Sequence, residues 1–263
     1  MVYRDLDGVP DFESAEYAPK QSKYCLLIPI LNEKGRIDRE LQTAREHGIP
    51  SLVDIVICDG GSTDGCTEAE QLKALGVNTL LTKTGPGKQG AQLRMGFWWA
   101  LQRGYEGFIT VDGNNKDSVE DIPAFIQKLD EGYDFVQGSR FIKGGRAVNT
   151  PPLRYFAVRL IHAPIISITA RKWFTDTTNA FRAHSKKYIT HPQVQPFRDV
   201  FAAYELLAYL SVKASRLGLR TCEIPVTRAY PKHGKTPTKI QGFQGNKQLF
   251  MVLLQTARGK YDV

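Results

Sequence analysis

The sequence predicts an α/β protein built on a doubly wound, mainly parallel sheet with flanking helices. Three observations predict it. Short apolar runs alternate with longer segments of helical character. The apolar runs are continuous, as in strands covered on both faces. The turns that follow them are short and rich in Gly, Asp, Asn and Ser. A chain of 263 residues is long enough to bury a sizeable core, in one large α/β domain or two small ones. The expected division is a tail over 1–22, an α/β domain over 23–240, and a helix over 241–263 packing on or beside it.

Taken in order, residues 1–21 read as a poorly ordered tail or as a strap across the domain. The run 24–29 is a strand, ended by Pro29. After the polar turn at Asn32 and Glu33, a helix is expected from 36 to about 47, closed by Gly48 and Pro50. The second strand, 53–58, ends in the glycine-rich turn 59–65, with several helix-cap candidates. A helix to about 75, a strand at 78–81, a Gly-Pro-Gly turn and a helix over 91–103 follow. The strand 108–112 then runs into Asp112, Gly113 and Asn114. Helix 119–131 carries Pro123 in its first turn, where proline is tolerated, and Gly132 stops it. A strand at 134–138 precedes a loop over 142–152 that is expected to move. The stretch 153–174 is amphipathic and basic, broken or kinked at Pro164. A turn leads into a short strand near 182, then come a helix over 200–215, a strand over 219–226, a basic loop and a last helix over 246–256.

Charge and cysteines narrow the class. Lys and Arg outnumber Asp and Glu by 35 to 27, a net charge of +8, which suits phosphate-bearing partners as well as simple solubility. The hydrophobic fraction of 42% excludes wholesale disorder. The four cysteines, Cys25, Cys58, Cys66 and Cys222, form no C-x-x-C pair, so buried reduced thiols are expected rather than disulfides or zinc. The first twenty residues are polar and acidic, unlike a signal peptide, and no uncharged apolar run reaches the length of a membrane span. The expected location is cytoplasmic, at most peripheral at the inner face of the membrane. Basic residues gather at sheet-edge loops without a stripe of aromatic platforms, so no nucleic-acid partner is expected.

Ligands of parallel α/β sheets sit beyond the carboxyl ends of the strands. Asp59 and Asp112 both stand there. A carboxylate beside a glycine at such an end is where a metal-bound phosphate is expected. The plainer reading of Asp112-Gly113 is a strand-to-helix turn.

Motifs in sequential order then carry a resemblance. Ile28-Pro29-Ile30-Leu31-Asn32-Glu33 resembles the "P-x-x-N-E" opening of the family 2 glycosyltransferases. Asp59 to Gly65 resembles their "D-D-G-S-T-D-G" loop, and Gly87 to Arg94 their "G-K-G-A-A-L-R". Asp112-Gly113-Asn114 falls where they carry "D-x-D". Gly138-Ser139-Arg140 matches "G-S-R", Asp176 to Arg182 resembles "D-x-x-S-G-F-R", and Arg220 to Val226 resembles a late strand ending "E-V-P-V". The resemblance covers about residues 23–240. It is nearest the branch of dolichol-phosphate mannose synthase and related polyprenyl-phosphate glycosyltransferases.

The resemblance implies a GT-A, Rossmann-like fold and sugar transfer from a nucleotide-diphosphate sugar, with inversion. It implies donor-nucleotide contacts for Pro29, Asn32, Glu33, Asp59, Lys88 and Gly113. Asn32 reads equally as a helix cap, and Lys88 as a solvated lysine opening a helix. Gly60 stands where many members have a second aspartate. Asp112 and Asn114 are the implied ligands of Mg²⁺ or Mn²⁺, with Asp112 stabilising the leaving diphosphate through the metal. Asn114 replaces the second acid, and Lys116 stands where the mannose-synthase branch has glutamine. Both weaken the expected metal dependence.

Arg140 and Arg182 suit phosphate recognition, because guanidinium forks bind phosphate bidentately; Arg182 also reads as a brace for Asp176. Lys232 and Lys235, in a basic run from Arg228 to Lys239, resemble a lid over a phosphate, with a solvated charge run as the alternative. A base is required only if the acceptor is a sugar hydroxyl, and Asp176, Asp199 and Glu205 are candidates. Two acceptors stay open, a polyprenyl phosphate and a cell-surface saccharide. With the former, 153–172 would lie at the membrane interface. A reading of a different class is a non-catalytic sugar-nucleotide binding protein with a degenerate metal site.

Overall fold

The computed structural model describes residues 1–232 and 242–262. The first elements are β1 (Val2–Tyr3), β2 (Phe12–Glu16), β3 (Tyr24–Ile30), α1 (Arg36–Glu46), β4 (Asp54–Asp59), α2 (Ala69–Ala74), β5 (Val77–Lys83), α3 (Gln89–Gln102) and β6 (Gly107–Thr110). The chain continues through α4 (Ile122–Asp130), β7 (Phe135–Ser139), β8 (Arg146–Val148), α5 (Pro152–Ala157), α6 (Ala163–Ala170), β9 (Arg182–Ser185) and α7 (Lys186–Ile189). It closes with α8 (Glu205–Arg216), β10 (Thr221–Pro225), β11 (Thr227–Ala229) and α9 (Gly242–Ala257).

The main sheet runs in the order β1-β2-β5-β4-β3-β6-β9-β7-β10. β5, β4, β3 and β6 pair in parallel, as do β7 and β10; β2 and β9 run against them. The alternation read from the sequence is therefore a doubly wound, mostly parallel sheet. Its central strand, β3, is buried at every position. Cys25 and Leu27 point to one face, with Phe97 of α3, Leu206 of α8 and Leu253 of α9. Leu26, Ile28 and Ile30 point to the other, with Ile37 and Leu41 of α1 and Phe125 of α4. The strand period of two thus divides one apolar run between two cores.

Several expectations are corrected. Of the two readings of the N-terminal segment, strap describes it and disordered tail does not. β2 pairs residue for residue with β5, closing an edge that would otherwise expose unpaired backbone. The late strand is two, β10 and β11, and β11 pairs with β8. The loop expected to move is thereby tied down through 146–148. Of a break or a kink at Pro164, the break does not occur: helix continues through it to Ala170. α5 and α6 are joined by a wide π turn at Val158–His162. Proline lacks an N–H and crowds the carbonyl four residues back, and a widened turn accommodates both.

The helix expected from 200 begins at Glu205. Ahead of it, the carbonyl of Ala202 accepts from the backbone N–H groups of Lys88 (2.7 Å) and Ala91 (3.4 Å). An acceptor engaged by α3 is not offered to an intrahelical ladder. Glu205 is consequently the first residue of its helix. Its carboxylate accepts from the Ala203 N–H at 2.7 Å.

Candidate active site

Three loops meet at the carboxyl edge, after β3, β4 and β6. Pro29 lies inside β3, paired with Cys58. Asn32 has a left-handed backbone (φ 51). It joins two loops: its N–H donates to Ser62 Oγ (2.8 Å) and its Oδ1 accepts from Thr63 N–H (2.8 Å). Glu33 is paired with Arg36. Asp59, 1% exposed, accepts from Gly61 N–H and from the N–H and hydroxyl of Ser62 at 2.5–3.1 Å. The carboxylate thus shapes its own glycine turn. A Cβ at Gly60 would sit 3.1 Å from Gln92 Nε2. That amide donates to the carbonyls of Ile30 (2.6 Å) and Cys58 (2.7 Å), so the packing is tight around the glycine that stands where many family members have a second aspartate.

Asp112 follows β6 and is partly open to the cleft. Both of its oxygens are engaged. Oδ1 accepts from Gln89 Nε2 at 2.7 Å, and Oδ2 lies 3.2 Å from Arg228 Nη2. The other arm of Arg228 pairs with the buried Asp117 and donates to Asn179 Oδ1 at 3.2 Å. A backbone bridge between Asp117 and Arg228 holds the pair in register. Burial raises the Asp112 carboxyl, but Arg228, Lys116 and the hydrogen bonds from Arg228 and Gln89 outweigh it and hold the group below its ordinary value. Lys116 is buried, with its ammonium 5.3 Å from the Tyr230 ring centre. Burial, reinforced by Arg228, pushes it down to about 8. Behind the turn, Glu40 accepts from the Asn115 N–H at 2.6 Å, and burial raises its carboxyl well above the usual range. Gly113 answers a packing demand, since a Cβ would sit 2.5 Å from the Ile30 side chain.

The facing wall comes from 139–141 and 175–182. Arg140 and Asp176 form a buried bidentate pair at 2.6 and 2.8 Å, and Arg140 also donates to Thr178 Oγ1 at 3.0 Å. Burial would raise Asp176, but Arg140 wins and holds it below the ordinary carboxylate value. An ionised carboxylate clamped by a guanidinium is a poor proton acceptor. Glu223 supports the loop from beneath, accepting from the N–H groups of Thr175 and Asp176 at 2.9–3.2 Å.

Arg182 does not face the cleft. Its hydrogen bonds all end on carbonyls, those of Asn179 (2.8 Å), Leu207 (2.7 Å) and Thr177 (2.9 Å). Neither phosphate recognition nor a brace to Asp176 describes these contacts. His162, on the π turn, meets Thr177 Oγ1 through Nδ1 at 2.7 Å. Burial would raise the Tyr230 phenol, yet Arg228, Arg154 and Arg140 pull it down to about 8, a measure of the positive field on this side. Lys88 and Lys232 are exposed; Lys235 lies outside the described residues. Asp199 is exposed and paired with Arg94 at 2.8 Å.

Residues 25–198 match the sequence profile of "Glycosyl transferase family 2". The chain belongs to glycosyl transferase family 2. It is 24% identical to the polyprenol monophosphomannose synthase of Mycolicibacterium smegmatis over 261 residues, covering 95% of this chain and 92% of that one. It is 27% identical to the undecaprenyl-phosphate mannosyltransferase of Micrococcus luteus, over 76% of this chain and 81% of that one. Among solved structures, the glucosyl-3-phosphoglycerate synthase of Mycobacterium tuberculosis, crystallised with Mn²⁺, UDP and glucosyl-3-phosphoglycerate, superposes with a TM-score of 0.63 at 15% identity, over 89% of this chain and 80% of that one. The fold is accordingly GT-A, and the chain is of the nucleotide-sugar glycosyltransferase class.

Structural neighbours of the same fold have been crystallised with Mn²⁺ or Mg²⁺ and UDP. The donors of this family 2 chain do not fit a divalent cation well. The Asn114 amide oxygen is buried without a hydrogen-bond partner and is a suitable donor. Asp112, however, is the one acid of the pair, and both its oxygens are taken. Among the described residues, no three His, Cys, Asp or Glu side chains are grouped to hold a metal.

Sequence reasoning missed Gln89, Glu40 and Glu223, and saw Arg228 only as the start of a basic run. Gln89 had a signal, because it interrupts the family 2 "G-K-G" pattern. Arg228 had none: it meets Asp112 across 116 residues of chain.

Proposed function

We propose that the protein transfers a sugar from a nucleotide-diphosphate sugar to a polyprenyl phosphate, with inversion. One observation carries the choice of acceptor: the candidate bases are committed elsewhere. Asp176 is clamped by Arg140, Asp199 pairs with Arg94, and Glu205 caps the backbone ahead of α8. A sugar hydroxyl needs a base to take its proton; a lipid phosphate is already ionised and needs none. An oxygen of the acceptor phosphate attacks the anomeric carbon. The bond from that carbon to the donor diphosphate breaks, and the electron pair leaves with the nucleoside diphosphate. In this reading the loops bearing Asn32, Asp59 and Lys88 hold the nucleoside, and the positive field of Arg140, Arg154 and Arg228 receives phosphate. Metal dependence is weak, because the donor set at Asp112 does not suit a divalent cation.

Two further features support the reading. The named relatives act on polyprenol or undecaprenyl phosphate. The helical stretch from α5 to α6 also carries exposed Leu153, Phe156, Leu160 and Ile168 beside Arg159 and Arg171. Its inner side touches the site through Arg154 on Tyr230 and His162 on Thr177. Such a face suits a lipid surface. Among the described residues no helix is long and apolar enough to cross a membrane.

The test is transfer of radiolabel from a panel of sugar nucleotides to polyprenyl phosphate or to soluble saccharides, separated by solvent partition. Label in the organic phase is expected. Label in aqueous saccharide alone would overturn the acceptor.

A further inference from the structure

We infer that Arg228 is the resident cation of the leaving-group site, standing where a divalent metal would otherwise neutralise Asp112. The inference rests on the proposed sugar-nucleotide chemistry and adds how the diphosphate charge is met. Three observations carry it. Arg228 reaches Asp112 with one arm and the buried Asp117 with the other, so one guanidinium ties the two carboxyl groups together. The backbone bridge to Asp117 fixes the main chain of Arg228, and Asn179 Oδ1 accepts from the far end of its side chain. Swinging it away to admit a metal would strand Asp117, whose side chain is fully buried. Finally, the residue that would share a metal with Asp112 is the uncharged Asn114, with the buried cation Lys116 two residues further on.

Guanidinium groups, ammonium groups and Mg²⁺ are alternative ways of stabilising charge that develops on phosphate oxygens. A fixed guanidinium has its geometry set before substrate arrives. In this arrangement Asp112 is not a metal ligand. It is the counter-ion that positions Arg228, and Gln89 holds its other oxygen.

The experiment is calorimetric titration of the full chain with a panel of nucleoside diphosphates, in EDTA and in Mn²⁺. The expected result is a diphosphate whose Kd differs by no more than about threefold between the two conditions. Arg228→Gln is expected to weaken binding by about tenfold or more in EDTA, with Mn²⁺ restoring part of it as Asp112 becomes available. Arg228→Lys, which keeps the charge, is expected to retain more affinity than Arg228→Gln. If Arg228→Gln does not fold, the wild-type and Arg228→Lys titrations still decide. Tightening of the wild type by about tenfold or more in Mn²⁺ would overturn the role of Arg228 and leave the sugar-transfer reading standing. Binding by both variants at wild-type strength in EDTA would do the same. No binding of any diphosphate in either condition would overturn both.

Discussion

Asp112 and Asp176 were both legible as functional candidates, Asp112 as an acid at the end of an apolar run and Asp176 through its resemblance to a family motif. Their partners were not legible. Arg140 and Arg228 decide what the two acids can do, and an ion pair leaves no trace in local pattern when its members are far apart in sequence. His184 shows the same limit inside the core. Its ring lies among Phe97, Phe135 and Tyr188, and neither nitrogen has a hydrogen-bond partner. Burial, helped by Arg182, pulls its pKa down to about 3. The unfolded chain, with histidine near about 6.5, takes the proton first as pH falls. The stability contributed by the neutral ring is therefore complete above about pH 6.5 and declines from there toward the folded value. Urea unfolding at a series of pH values should show stability falling from pH ~6.5 to ~4, and His184→Leu should flatten that fall. Equal slopes for the two proteins would remove His184 from the account.

At the scale of elements, apolar runs identified the strands well, and helix starts were less secure late in the chain. β3, β4 and β7 lie within a residue or two of their expected positions, because a run covered on both faces has few alternatives. α8 starts five residues late, because its expected first turn is engaged by the N-terminus of α3. The contact is tight. A Cβ at Gly90 would lie 2.5 Å from the Phe201 carbonyl oxygen and 2.7 Å from that of Ala203. Gly90→Ala must push these backbones apart, at a cost of about 1–3 kcal/mol, even though alanine is the better helix former. Thermal unfolding should show a lower Tm; an unchanged or higher Tm would mean that the junction is soft. The π turn ahead of Pro164 belongs to this scale too. Proline announced an irregularity, while the continuity of the helix through it depended on packing by Val158, Ala163 and Ile166.

For the whole molecule, composition indicated a basic protein suited to phosphate, and the fold decides where that charge acts. Part of it lines the cleft, and part lies on the exposed apolar side of α5 and α6. If this side rests on lipid, vesicles with anionic headgroups should sediment the protein and neutral ones should not, and salt should weaken the effect. Leu160→Ser combined with Phe156→Ser should reduce sedimentation by several-fold, at about 0.8 kcal/mol for each CH₂ withdrawn from lipid. Equal sedimentation of the variant and wild type would place the membrane contact elsewhere. The N-terminal strap has a similar lesson. The sequence left tail and strap open, and the structure shows Phe12 and Tyr3 stacked at 4.5 Å and anchoring the segment over Trp98.

By itself the sequence determined the layered α/β architecture, the strands of its sheet from β3 onward and the edge on which chemistry gathers. These depend on local periodicity and on the residues that end strands, which are written in short windows of chain. Tertiary structure alone decided the pairing of charges: which acids are clamped, which arginine faces the core, and which cation stands beside Asp112. Those outcomes depend on distances between residues far apart in the chain and on the low dielectric that makes each buried charge require its partner.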